Sequence, residues 1–174
     1  MEALQTGPST QKPTGAGGRL KLNTTDSFSA DGSFPTTPTS SLFYIHAGGN
    51  DNGVTMIAYC FSPVVGYSSF GSYTGTSAAQ FVYLGFRPKF WMHKMSNSAG
   101  SWMMLDSSRD PYNVAGQNVY ANLSNAESTY SGGALDFVSN GVVLRSTGND
   151  VNGSGNTYIY MCFAENPFQY ARAR

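Results

Sequence analysis

From Leu20 onward the chain reads as short apolar runs separated by turn residues. The runs are Leu42–His46 (LFYIH), Thr55–Phe61 (TMIAYCF), Phe81–Leu84, Lys89–Met95, Trp102–Leu105, Val142–Leu144 and Thr157–Phe163. Gly48-Gly49-Asn50-Asp51, Gly71, Asn97-Ser98-Ala99-Gly100, Ser139-Asn140-Gly141 and Asn152-Gly153-Ser154-Gly155 punctuate them. Many short runs bounded by such residues indicate strands gathered into a sandwich or barrel. Asn140-Gly141, between Phe137 and Val142, predicts the centre of a tight hairpin. No segment keeps a 3.6-residue apolar period long enough for a helix, and Ser124–Tyr130 has room for one short turn. The expected fold is therefore all-β, an antiparallel sandwich or barrel. Ahead of it, Met1–Gly18 is rich in Gly, Pro, Thr and Gln and cannot bury enough apolar surface to fold alone. Residues 1–19 are expected to form an extended arm lying on a partner or on the domain itself.

The chain also repeats itself. Asn50–Phe61 (NDNGVTMIAYCF) and Asn152–Phe163 (NGSGNTYIYMCF) share Asn, Gly, Thr, Ile, Cys and Phe in step, 102 residues apart. Upstream, Phe28-Ser29-Ala30-Asp31-Gly32 parallels Phe137-Val138-Ser139-Asn140-Gly141. The second copy also carries the runs between Tyr83 and Asp106, for which the first has no counterpart. The β domain, residues 20–174, is thus expected to hold a partial first repeat over about 20–63 and a fuller second over about 64–168. A partial unit leaves a strand edge open, which proteins rarely expose. Either the arm or a neighbouring chain is expected to cover it, which favours a homo-oligomer.

Composition sharpens this picture. Charged residues are 11% of the chain and ten basic residues balance ten acidic ones. Ordinary domains carry about 25% charge, and so neutral a surface tends to associate. With no basic stripe, nucleic acid is not an expected partner. No run of about 18 apolar residues exists, so membrane insertion is not expected. Met1–Gly18 has no apolar centre of the kind a secretory signal requires.

Phe70–Gly75 (FGSYTG), Gly85-Phe86-Arg87-Pro88, Trp102 with Asp106–Asn113 (DSSRDPYN), and Asn152-Gly153 with Thr157–Ile159 and Cys162–Pro167 together resemble an uncharacterised repeat domain. That domain occurs in tail-fibre-like and other virion structural proteins of bacteriophages, commonly marine. The resemblance covers roughly Leu20–Phe168. It implies a virion protein, a capsid decoration or fibre or a tail-fibre component, assembled in the host cytoplasm from copies of itself and other virion proteins. It carries no catalytic residues. Pro63, where the second copy has Glu165, departs from the pattern.

Candidate chemistry is sparse, and the chain is not expected to be an enzyme or to need a cofactor. His46 and His93 lie in strand-like runs without a second ligand at metal-binding spacing. Cys60 and Cys162 occupy equivalent positions and are expected as buried free thiols, since a reducing cytosol disfavours a disulfide. Asp106 and Asp110 could pair as glycosidase carboxylates, but Arg109 beside them favours an ion pair stabilising a loop. Glu165 is expected to bond loop backbone. Asp51, Asn52, Asp150, Asn152 and Asn156 offer calcium-type oxygens without a carboxylate cluster, and turn formation explains them. Tyr67, Tyr73, Trp91, Trp102, Tyr112, Tyr120 and Tyr130 are candidate exposed aromatics, which could fill a partner's pocket or stack on sugar. A carbohydrate-binding module engaging a host-surface glycan is the alternative expectation. The interface candidates are Leu4, Gln5, Gln11 and Lys12 of the arm, with Tyr67, Tyr73, Tyr112 and Tyr130.

Overall fold

The computed structural model describes residues 17–32, 34–39, 41–45, 53 and 55–166. It is all-β and antiparallel. Among the described residues nine strands form: β1 (Ser68–Thr74), β2 (Gln80–Tyr83), β3 (Pro88–Met95), β4 (Met103–Asp106), β5 (Gln117–Tyr120), β6 (Ser128–Thr129), β7 (Leu135–Val138), β8 (Gly141–Leu144) and β9 (Thr157–Ala164). A six-stranded sheet runs β1-β9-β3-β4-β5-β6, and a three-stranded sheet runs β2-β8-β7. The architecture is a sandwich rather than a closed barrel. Arm residues 1–16 lie outside the described residues.

Alternation along the strands builds the core. On β3, Trp91, His93 and Met95 point to the three-stranded sheet; on β9, Tyr158, Tyr160, Cys162 and Ala164 do so; on β4, Met103 and Leu105. Facing them are Val82, Leu135, Phe137, Val142 and Leu144. Trp91 stacks on Tyr160 with centroids 4.7 Å apart, and Tyr73 on Tyr158 at 4.9 Å. Gly71 is required by this packing: a Cβ there would lie 2.7 Å from the Tyr160 hydroxyl oxygen, directly across the β1–β9 ladder.

The other face of the large sheet is apolar too. Met92, Ile159 and Trp102 are buried there, with Phe90, Met104 and Met161 beside them. Leu20, Leu22 and Phe28, from the segment before the first strand, cover this patch. Backbone bonds fix the cover: Phe28 N–H donates to Ser96 O, Gly100 N–H to Thr25 O, and Arg19 and Ser29 bond each other in both directions. The Trp102 indole N–H donates to Lys21 O at 2.9 Å.

Five of the seven predicted runs are strands in the structure. The other two are not. Leu42–Ile45 and Thr55–Phe61 belong to no strand, and His46 lies outside the described residues. Ser124–Tyr130 makes no helical turn and instead contains β6. The hairpin is present, but Ser139-Asn140 form its loop and Gly141 begins β8 opposite Val138.

Candidate interaction surface

The polar residues that the sequence offers for chemistry hold the fold together. Three core side chains bond three consecutive carbonyls of the Asn/Gly loop after β8. The Tyr158 hydroxyl donates to Asn149 O at 2.5 Å, His93 Nε2 lies 3.0 Å from Asp150 O, and the Tyr73 hydroxyl donates to Val151 O at 2.6 Å. Asn152 continues the loop, accepting from Thr76 N–H and donating to Ala78 O. Of the side-chain oxygens weighed for calcium, that of Asn152 is thus taken up by the β1–β2 connection. Among the described residues, no three His, Cys, Asp or Glu side chains gather to hold a metal.

His93 is wholly buried, and its Nδ1 accepts from the Trp91 indole N–H at 2.9 Å. That bond places the ring proton on Nε2, facing Asp150 O. Desolvation pushes the imidazole down to about 4, against a smaller upward pull from that carbonyl, so the ring is neutral. Lys94 points to the opposite face, where its ammonium donates to Gly100 O at 2.6 Å and Thr25 O at 3.0 Å and lies over the Trp102 ring. Burial lowers it to about 8, with Asp26 pulling upward. Lys94 therefore ties the N-terminal cover to the sheet.

The motif carboxylates are structural as well. Asp106 Oδ1 accepts from Ser108 and Arg109 N–H, its Oδ2 pairs with Arg109, and Arg109 also reaches Glu127. Asp110 Oδ2 accepts from Gly116 and Gln117 N–H. The expected loop-stabilising ion pair exists, formed by Asp106 rather than Asp110. Asn113 bonds Phe137 through both its amide atoms. Glu165, expected to bond backbone, instead has its carboxylate paired with Arg87 at 2.8 Å, and Arg87 donates to Phe137 O.

The expected aromatic surface divides. Tyr73 belongs to the core, with its hydroxyl committed to Val151, so it is no interface residue. Trp91 and Trp102 are buried too, Trp91 on β3 beneath the three-stranded sheet and Trp102, just before β4, beneath the N-terminal cover. Tyr130 is half-buried against the core, its hydroxyl accepting from Ser146. Tyr67 is exposed, edge-on to Phe163, and Tyr112 projects into solvent at 84% exposure. Leu4, Gln5, Gln11 and Lys12 lie outside the described residues. Cys162 is buried, its thiol donating to Ser69 O and pushed by desolvation up to about 12; Cys60 is exposed, contrary to expectation.

A surface that sequence reasoning assigned to strands emerges instead. Met56, Ile57 and Tyr59 are 53%, 77% and 73% exposed, and Leu42–Ile45, Phe61, Val64 and Val65 are exposed near them in sequence. Phe61 reaches the sheet, its ring 6.0 Å from both Phe70 and Phe163. Phe81 and Tyr83 form a second exposed pair on β2. Exposed apolar groups on this scale in a chain with so few charges make this the candidate interaction surface. A concavity of about 310 Å³ between Arg19, Lys21, Asp26 and Phe28 is open and lined by the cover itself.

A family model described as a domain of unknown function (DUF7483) matches residues 9–167. The chain belongs to this family. The matched span takes in the N-terminal cover, the exposed segment and all nine strands of the DUF7483 fold. No curated protein and no solved structure matches the chain.

Proposed function

We propose that this DUF7483 chain is a bacteriophage virion structural protein, a capsid decoration or fibre or a tail-fibre component, that acts through protein–protein assembly and not catalysis. The observation that carries the reading is the exposed apolar segment Thr55–Phe61 on a neutral, charge-poor β-sandwich. Its motif carboxylates and buried histidine bond the fold's own backbone, which suits a scaffold. The resemblance of the motifs to phage virion repeat domains supplies the setting: assembly in the host cytoplasm and residence in the particle. The test is mass spectrometry and antibody labelling of purified particles from a phage encoding the chain. The expected result is the chain at fixed copy number in intact particles; its absence from them would overturn the reading.

A second reading, a carbohydrate-binding host-attachment module, is favoured by Phe81, Tyr83 and Tyr112, which present open aromatic faces. Binding of the purified chain to host-surface glycans on an array would support it, and silence there would remove it.

A further inference from the structure

β1 ends the six-stranded sheet. Its Tyr67 side begins with Tyr67 O accepting from Ala164 N–H, and its far end closes with Gly75 N–H donating to Asn156 O. With the β1–β9 register, this alternation turns the backbone groups of Ser69, Gly71 and Tyr73 toward β9. Those of Phe70, Ser72 and Thr74 point the other way, along an edge that no strand occupies among the described residues. Ser68 alone is paired on that side, bonding Val64 in both directions.

That Val64–Ser68 bridge is the start of a hairpin, reached through Gly66 at φ +74°. The hairpin stops at once. In a continuing ladder Ser62 would face Phe70; instead its carbonyl accepts from the Ser68 hydroxyl at 3.0 Å. The chain leaves its own β1 here, and among the described residues Thr55–Phe61 has no strand partner. Yet this segment repeats the sequence of β9, the strand that β1 takes on its other edge. It alternates Thr55, Ile57, Tyr59 and Phe61 with Met56, Ala58 and Cys60, as β9 alternates Thr157, Ile159, Met161 and Phe163 with Tyr158, Tyr160 and Cys162. Neither Thr55–Phe61 nor Ser68–Thr74 contains a charge, so nothing repels such a strand at such an edge.

We propose that Thr55–Phe61 adds as an edge strand to β1 of a second copy of this chain, each copy giving its segment and receiving its partner's. One chain carries both complementary halves, a β9-like segment and a β1 edge that are both unpaired among the described residues, and a two-fold exchange closes both. This inference rests on the assembly reading and names the surface through which assembly begins.

The test uses the full chain. Its mass is measured by light scattering across a hundredfold concentration range, for the wild type, Ala58→Pro, Ile57→Asp and Leu123→Ser, with amide hydrogen exchange at Phe70, Ser72 and Thr74. The first two changes lie in an exposed segment outside every strand, Leu123 is exposed in a loop that carries no proposed contact, and near-ultraviolet circular dichroism of buried Trp91 and Trp102 verifies the fold. The expected result is a wild-type multimer of even copy number, at least tenfold weaker association in Ala58→Pro and Ile57→Asp, none lost in Leu123→Ser, and edge amides protected only in the multimer. A multimer indifferent to both segment changes would overturn the strand exchange and leave the virion reading standing. A monomer at every concentration would overturn the exchange, whether its edge amides are open or are protected by its own segment, and the particle analysis would then decide the virion reading separately.

Discussion

Thr55–Phe61 and Thr157–Phe163 are near-copies in sequence and opposites in structure. The second is the body of β9, flanked on both sides by β1 and β3. Its Tyr158 and Cys162 are fully buried on one face, and Ile159 on the other beneath the N-terminal cover. The first has the same alternation but shows Ile57 and Tyr59 to solvent. Apolar alternation makes a segment able to be a strand; a free edge within reach makes it one. β9 finds two such edges inside the chain. Thr55–Phe61 comes within reach of one and, among the described residues, pairs with none, the Ser62 carbonyl accepting from the Ser68 hydroxyl instead.

The widest gap between the twins is expected in stability. Ile159→Ala should cost about 2–5 kcal/mol, the range for emptying a buried branched site, whereas Ile57→Ala should change monomer stability by less than about 0.5 kcal/mol. Denaturant unfolding of both variants at low protein concentration measures the contrast, and equal losses would mean that the exposed segment is packed in the monomer.

The core around β9 should also show in pH dependence. The folded-state pKa of His93 is lowered to about 4 from 6.5, so the unfolded chain binds the proton first as pH falls. Stability from the neutral ring is therefore complete above 6.5 and lost between 6.5 and about 4, amounting to about 3 kcal/mol at 1.4 kcal/mol for each pH unit. Unfolding free energies at pH 7.5 and 4.5 for the wild type and His93→Gln isolate it; parallel curves would refute a neutral buried imidazole.

Gly71→Ala tests the ladder between β1 and β9. The added methyl meets the ring that Trp91 stacks on, and about 1–3 kcal/mol of destabilisation is expected from overpacking. Thermal melting would read it, and an unchanged midpoint would show that Tyr160 has room to move. The smallest effect is chemical. Cys60 should react with an aromatic disulfide reagent in the native chain, while Cys162, buried and held protonated, should react only after unfolding. Two rapidly reacting thiols in the native chain would contradict the placement of Cys162.

β3, β4 and β9 were legible because their apolar residues recur with strand periodicity. β1 was not: Ser68–Thr74 holds only Phe70 and Tyr73 as large apolar residues, and its place is set by the register with β9. β5 and β6 are polar and short, held by Asp110 and by the Gln117–Thr129 side-chain pair, which no apolar pattern announces. Trp91 and Trp102 were weighed as surface aromatics because composition cannot say that both faces of a sheet are covered. The N-terminal cover over Met92 and Trp102 is what hides the second face. The bare edge of β1 among the described residues was not legible, because the Ser68–Ser62 bond beside it is a tertiary detail.

The most direct measurement is hydrogen exchange of the peptides spanning 55–61 and 157–163, compared in dilute monomer and at concentrations where the chain associates. Slow exchange in 157–163 under both conditions, with 55–61 fast when dilute and slow when associated, is the predicted result. Slow exchange of 55–61 in the dilute monomer, or fast exchange in the associated form, would contradict it.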